Sequence, residues 1–206
     1  MDKIILAYDE DDADAGSYYK GCADHLVSLI TSNCHFTFIS KRNLNFVYVD
    51  QVLTDISEHN FLFFAYSHGE KHQLSCGLGH YLSCSSDLNP FNNTFFYSYA
   101  CLAGNNFGET LIRSGCQGFF GYKNVVNHYS NHESLFIECT NYGIKMMLQG
   151  DNAVTAERKM KENYEEVADN LSGMLDFVAA ELLDTRDALI RLGREDFKLS
   201  ELGEYY

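Results

Sequence analysis

Apolar positions in this chain fall into short unbroken runs, separated by stretches in which they recur every three or four residues. Lys3 to Tyr8, His35 to Ser40, Phe61 to Tyr66, Thr94 to Ala100 and Gln117 to Gly121 are runs of the first kind. Rich in aromatic and aliphatic side chains and bounded by Gly, Asn or Pro, they predict strands, the strongest of them buried on both faces. Between them, Cys22, His25, Leu26, Leu29 and Ile30 recur at helical spacing. Phe46 to Val49 reads as a short extended piece, and Asp50 as the cap of a helix carrying Val52, Leu53 and Ile56. Gln73 to Ser83, with Gly77 and Gly79 between short apolar pieces, predicts a hairpin or surface flap.

Further helices are predicted over 105–114, over 131–148 with Leu135, Cys139, Tyr142 and Met146 on one face, and over 154–170 and 174–192. Leu171, Leu175, Val178, Leu182 and Leu189 form the apolar stripe of the last two, with Gly193 as the stop. Strand alternating with helix predicts an α/β fold: a mainly parallel central sheet with helices on both faces, a three-layer sandwich. Residues 1–150 form the expected core and 151–206 a C-terminal helical extension packed on or beside it.

The 206 residues suffice for one ordinary domain with a real core. A single Pro and the lack of low-complexity stretches argue against a flexible linker. The net charge of -14 argues against nucleic acid and against an anionic membrane surface, both of which call for Lys and Arg. No apolar run approaches the roughly 20 residues that cross a bilayer. The segment from Met1 to Asp9 lacks the long apolar stretch and cleavage site of a signal peptide. Seven scattered cysteines, an odd number, do not form a disulfide framework. The expectation is a reduced, cytoplasmic protein.

Two of the strand runs end in reactive side chains. Ser67-His68-Gly69 follows one, and Cys101-Leu102-Ala103-Gly104 follows the next. A lone Cys or His is usually core or surface. Here both stand at the ends of consecutive strands, which tend to lie side by side. They can therefore meet above the carboxyl edge, where open α/β sheets keep their sites. A thiol at its reference pKa is mostly protonated near neutrality, so an imidazole helps as base and then as acid to the leaving amine. Attack on a peptide carbonyl builds an oxyanion, which backbone N–H groups can hold. Gly69, with no Cβ, and Cys101, opening a tight loop, are the natural donors.

These motifs resemble the caspase-like cysteine peptidases, most closely the bacterial CHAT-type branch with its Ala-Cys-x-x-Gly pattern, matched by Ala100 to Gly104. The animal caspase pattern differs, since Tyr99 precedes Ala100 and the Gly falls one place later. Gly115 to Tyr122 is also similar to the family's fifth strand, and the resemblance runs from about Lys3 to Gly150. It implies a caspase–haemoglobinase fold, peptide-bond hydrolysis by a Cys101–His68 dyad, and an oxyanion site made by the Gly69 and Cys101 amides, with no cofactor or metal. It also implies a primary substrate pocket lined by the loop after the first strand, by Tyr99, and by the loop after Gly121. Asp9, Asp11, Tyr99 and Tyr122 are the substrate-binding candidates. An acidic loop there would favour a basic side chain, although acids before a helix are favoured anyway. Tyr8, Tyr66, Tyr99 and Tyr122 leave an apolar pocket as the alternative. Relatives suggest a protein or peptide substrate, a separate sensor or activator protein, and a role in antiviral defence or regulated death with a gasdermin-like pore former as one substrate.

Two rivals accompany this reading. One is a catalytically inactive interaction module. The other is a zinc-stabilised flap using His72, Cys76, His80 and Cys84, whose spacing fits no standard finger. His128 and His132 are expected to face solvent. Cys22, Cys34, Cys116 and Cys139 are expected in the core, Met146 and Met147 in packing, and the Tyr205-Tyr206 tail frayed.

Overall fold

In the structure, a computed structural model, residues 3–30, 34–56, 60–171 and 173–203 are described. The expectation for Tyr205 and Tyr206 lies outside them. The elements in order are β1 (Lys3–Tyr8), α1 (Gly16–Leu29), β2 (His35–Ser40), α2 (Phe46–Ile56), β3 (Phe61–Tyr66), β4 (His68–Glu70), β5 (Gln73–Cys76), β6 (Gly79–Ser83), β7 (Phe95–Tyr99), α3 (Asn106–Arg113), β8 (Gly118–Tyr122), α4 (Glu133–Leu148), α5 (Ala153–Leu171), α6 (Asp176–Ala188) and β9 (Leu189–Gly193).

Six strands make the central sheet in the order β2-β1-β3-β7-β8-β9. All neighbours are parallel except β8 and β9. Each inner strand alternates between two cores, which is why its apolar run is unbroken. Ile4, Leu6, Leu62, Phe64, Phe95 and Tyr97 join α1, α4, α5 and α6 on one face. Ile5, Ala7, Phe61, Phe63, Phe96 and Phe119 join α2, α3 and the flap on the other. This is the mainly parallel three-layer α/β sandwich that the alternation predicts.

Three expectations need correction. Phe46 to Val49 is the first turn of α2. The Asn45 side chain accepts the amide of Tyr48 at 3.1 Å there, so Asn45 rather than Asp50 caps the helix. The second correction concerns the stretch expected as helix to 192. It leaves the helix at Ala188, and Leu189–Gly193 forms β9, the sixth strand of the sheet. Leu189 thus packs as a strand residue opposite Tyr122, and the segment 151–206 is more than helices. Gly193 does end an element, in the left-handed region (φ +90°), where a Cβ would lie 2.5 Å from the Gln117 carbonyl oxygen. Third, the buried face of α4 is centred on Phe136, Cys139, Thr140 and Ile144, with Leu135 and Tyr142 only half-buried.

The flap over 73–83 is present as β5 and β6, and it gains a third strand. β4, which begins at His68, pairs with β5. Cys22, Cys116 and Cys139 are buried, Cys34 packs at the core edge, and none of the seven cysteines forms a disulfide. Among the described residues no helix is long and apolar enough to cross a membrane.

Candidate active site

Strand register brings the two motifs to one level. β3 and β7 end in step, with Tyr66 opposite Tyr99. His68 and Cys101 each follow two residues later, across a ladder whose strands lie about 4.8 Å apart. The Ser67 amide still bonds to the Tyr99 carbonyl at 3.3 Å, so the strands stay together up to the motifs. Gly69 is then pressed against the partner loop. A Cβ on it would lie 2.7 Å from the Cys101 carbonyl oxygen and 2.8 Å from the Ala100 Cβ. Only glycine lets these loops approach so closely.

The Cys101 loop is tightly shaped. Leu102 adopts φ +60°, uncommon for a side chain of its kind. Its amide is held by the Asn124 carbonyl at 3.1 Å. The Val126 amide points at the Cys101 sulfur at 3.5 Å, while the thiol faces the Val126 carbonyl at 3.6 Å. These contacts fix the sulfur on the wall of a cavity.

That cavity, about 370 Å³, is lined by His68 and Cys101 together, with Tyr19, Tyr99, Asn127, His128 and Tyr129 among its other walls. The third functional group is Asp12. Its Oδ2 lies 2.8 Å from His68 Nε2, and its Oδ1 accepts the amides of Ala15 at 2.7 Å and Asp14 at 3.0 Å. Burial works against the Asp12 charge, but the bonds from His68 and these amides outweigh it and hold the carboxyl below its ordinary range. The Tyr19 ring meets the His68 ring edge-on at 5.8 Å, a second constraint on the imidazole.

The expected substrate-binding residues part company. Tyr99 lines the cavity and donates its hydroxyl to the Asn127 carbonyl at 3.0 Å. Tyr122 is fully buried behind it, edge-on to Tyr99 at 5.3 Å, its hydroxyl 3.3 Å from those of Tyr97 and Tyr164. It does not reach the cavity, because β8 turns it into the core under α4 and α5. Asp9 and Asp11 also lie elsewhere. They line a separate cavity of about 330 Å³ with Lys41, Arg42, Cys76 and Leu78. The chain turns within this loop, so that beyond Asp11 it faces the other way: Asp12 meets His68, and Asp14 and Ala15 line the Cys101 cavity. Asp9 is only 4% exposed and accepts the Gly77 amide at 3.3 Å. Burial raises its pKa, aided by Asp12 and Asp11 and opposed by the Gly77 bond and His68.

The histidine expected in solvent is also at the site. His128 stacks on Tyr18 at 3.9 Å with rings 8° from parallel. Burial pushes it below its ordinary pKa, with Glu133 and Asp12 pulling the other way. Asp12, Tyr19 and His128 are the residues gathered at the site that the sequence motifs do not single out. The position of His128 in the loop after Gly121, expected to line the pocket, is the one signal for it.

The flap does not assemble as a metal site. The Cys76 thiol donates to the Leu44 carbonyl at 2.9 Å and faces the Asp9 cavity, whereas His72, His80 and Cys84 line another hollow. Among the described residues no three His, Cys, Asp or Glu side chains group to hold a metal ion.

No protein-family model and no curated protein matches the chain. Among solved structures, its fold is similar to the crystal structure of the Arg specific cysteine proteinase gingipain R (RGPB), at a TM-score of 0.60 and 11% sequence identity. The match covers 95% of this chain and 47% of that one, so the chain spans about half its neighbour's length. A likeness at this identity establishes the fold alone, a caspase–haemoglobinase-like α/β sandwich. Residue roles rest on the geometry of this chain.

Proposed function

We propose that the chain is a cysteine endopeptidase acting on a protein or peptide substrate. The observation that carries this reading is that Cys101 and His68 open onto one cavity while Asp12 fixes the imidazole from behind. With Nε2 of His68 engaged by Asp12, Nδ1 is the ring nitrogen left to take the thiol proton. The sulfur then bonds to the scissile carbonyl carbon, and the carbonyl oxygen takes the negative charge. The Cys101 amide, which has no acceptor among the described residues, and the Gly69 amide beside it are the donors suited to that oxyanion. As the intermediate collapses, the C–N bond breaks and the imidazolium returns its proton to the leaving amine. Water, deprotonated by the same imidazole, hydrolyses the thioester and frees the thiol.

Membership of the bacterial CHAT-type branch, a role in defence and a gasdermin-like substrate rest on the resemblance of the two motifs alone. So does the expectation of a separate activator.

Active-site labelling tests the chemistry. A peptidyl acyloxymethylketone should alkylate Cys101 and no other cysteine, and His68→Ala should slow the labelling by about 100-fold or more. If Cys101 stays unlabelled in folded protein, or labels equally fast without His68, the reading gives way to the inactive interaction module.

A further inference from the structure

Two residues on the wall of the Cys101 cavity touch α6. Tyr129, on the cavity wall, meets the Phe177 ring edge-on at 5.2 Å. Asn127, on the same wall, donates to Glu181 at 2.9 Å. Phe177 and Glu181 are four residues apart, so one face of α6 bears on the cavity loop at both points. Yet Phe177 is 56% exposed, and Met174, just before the helix, is 76% exposed. Single exposed apolar residues need no explanation. Phe177 differs, because its exposed ring is seated against the cavity wall, and with Met174 three residues before it the ring offers an apolar shelf there.

We infer that this shelf is a second specificity site of the peptidase proposed above, for a large apolar side chain of the substrate itself. The inference rests on that reading. An extended peptide points every second side chain the same way, about 7 Å apart. When one side chain fills the cavity, the next on that face lands about one ring further out, and the Tyr129-to-Phe177 step, 5.2 Å between centroids, is of that order. The shelf therefore takes the residue two places from the one in the cavity. An aromatic and a thioether offer a deformable surface suited to Leu, Met or Phe.

The test has two arms. The full chain is given an internally quenched octapeptide library, with cleavage positions read by mass spectrometry. In parallel, Cys101→Ala is titrated with fluorescein-labelled peptides that differ only by Leu or Ala two residues either side of a central position. We expect cleaved peptides to carry Leu, Met or Phe two places from the residue shared by all cleaved sequences, and the Leu peptide to bind more tightly. Phe177→Ala should lower the Leu-to-Ala selectivity about fivefold in both arms, and Phe177→Leu should restore most of it. Cleavage without such a preference, or a selectivity indifferent to Phe177→Ala, overturns the shelf and leaves the peptidase standing. Phe177-dependent binding without cleavage or labelling of Cys101 keeps the shelf and removes the peptidase. Neither cleavage nor binding removes both.

Discussion

Asp12 holds His68 through one oxygen and the start of α1 through the other. Its lowered pKa fixes the sign of its effect on stability. A carboxyl whose folded pKa lies below its ordinary value contributes fully above that ordinary value, near 4, and loses the contribution as pH falls through the folded value. Asp12→Asn should therefore flatten the loss of urea resistance between about pH 5 and 2. At neutral pH the same variant keeps an acceptor for His68 but not the charge. It should lower kcat/KM about 10- to 100-fold with little change in KM, because the effect is on the base and not on binding. An unchanged rate would assign Asp12 to the helix start alone. Nothing in the local sequence marks Asp12 out from Asp9, Asp11 or Asp14. Its partner lies 56 residues away, and only the fold brings them together. His68 and Cys101 were legible because each stands at the end of an apolar run.

Among the elements, the inner strands were read nearly to the residue, since burial on both faces leaves no polar position to blur them. β9 was hidden for the opposite reason. Leu189, Ile190 and Leu192 continue the apolar rhythm of α6, and no Gly or Pro separates Ala188 from Leu189. Pairing with β8 overrides that local preference. α2 shows the same conflict, because β-branched and aromatic residues at its first turn read as extended. β4 explains a glycine. It starts at His68, beside the loop of Cys101, so Gly69→Ala drives a methyl into backbone that cannot yield. The expected cost is about 1–3 kcal/mol of stability. Loss of Cys101 labelling should exceed what that cost explains, as the base is displaced from the sulfur. Equal labelling in the folded variant would show that the loops tolerate the separation.

For the whole molecule, the core crosses the boundary expected near residue 150. Met160, Tyr164, Leu182, Leu189 and Phe197 are buried in the same cluster as Leu62, Phe64 and Phe120. A fragment ending at Gly150 would expose β8 and much of α4, and it should lack cooperative unfolding and dispersed amide resonances. A well-dispersed spectrum from that fragment would instead make 1–150 a self-sufficient unit with 151–206 packed beside it. Patterning along the chain located most strands and helices, but not this sharing, because the contacts that close the core are long-range.

Sulfur, imidazole and carboxylate come from the ends of β7, β3 and β1, three neighbours in the sheet. On the proposed peptidase reading, a chain emerging from the ribosome could cut nothing until all three strands have paired, so activity would wait on completed assembly.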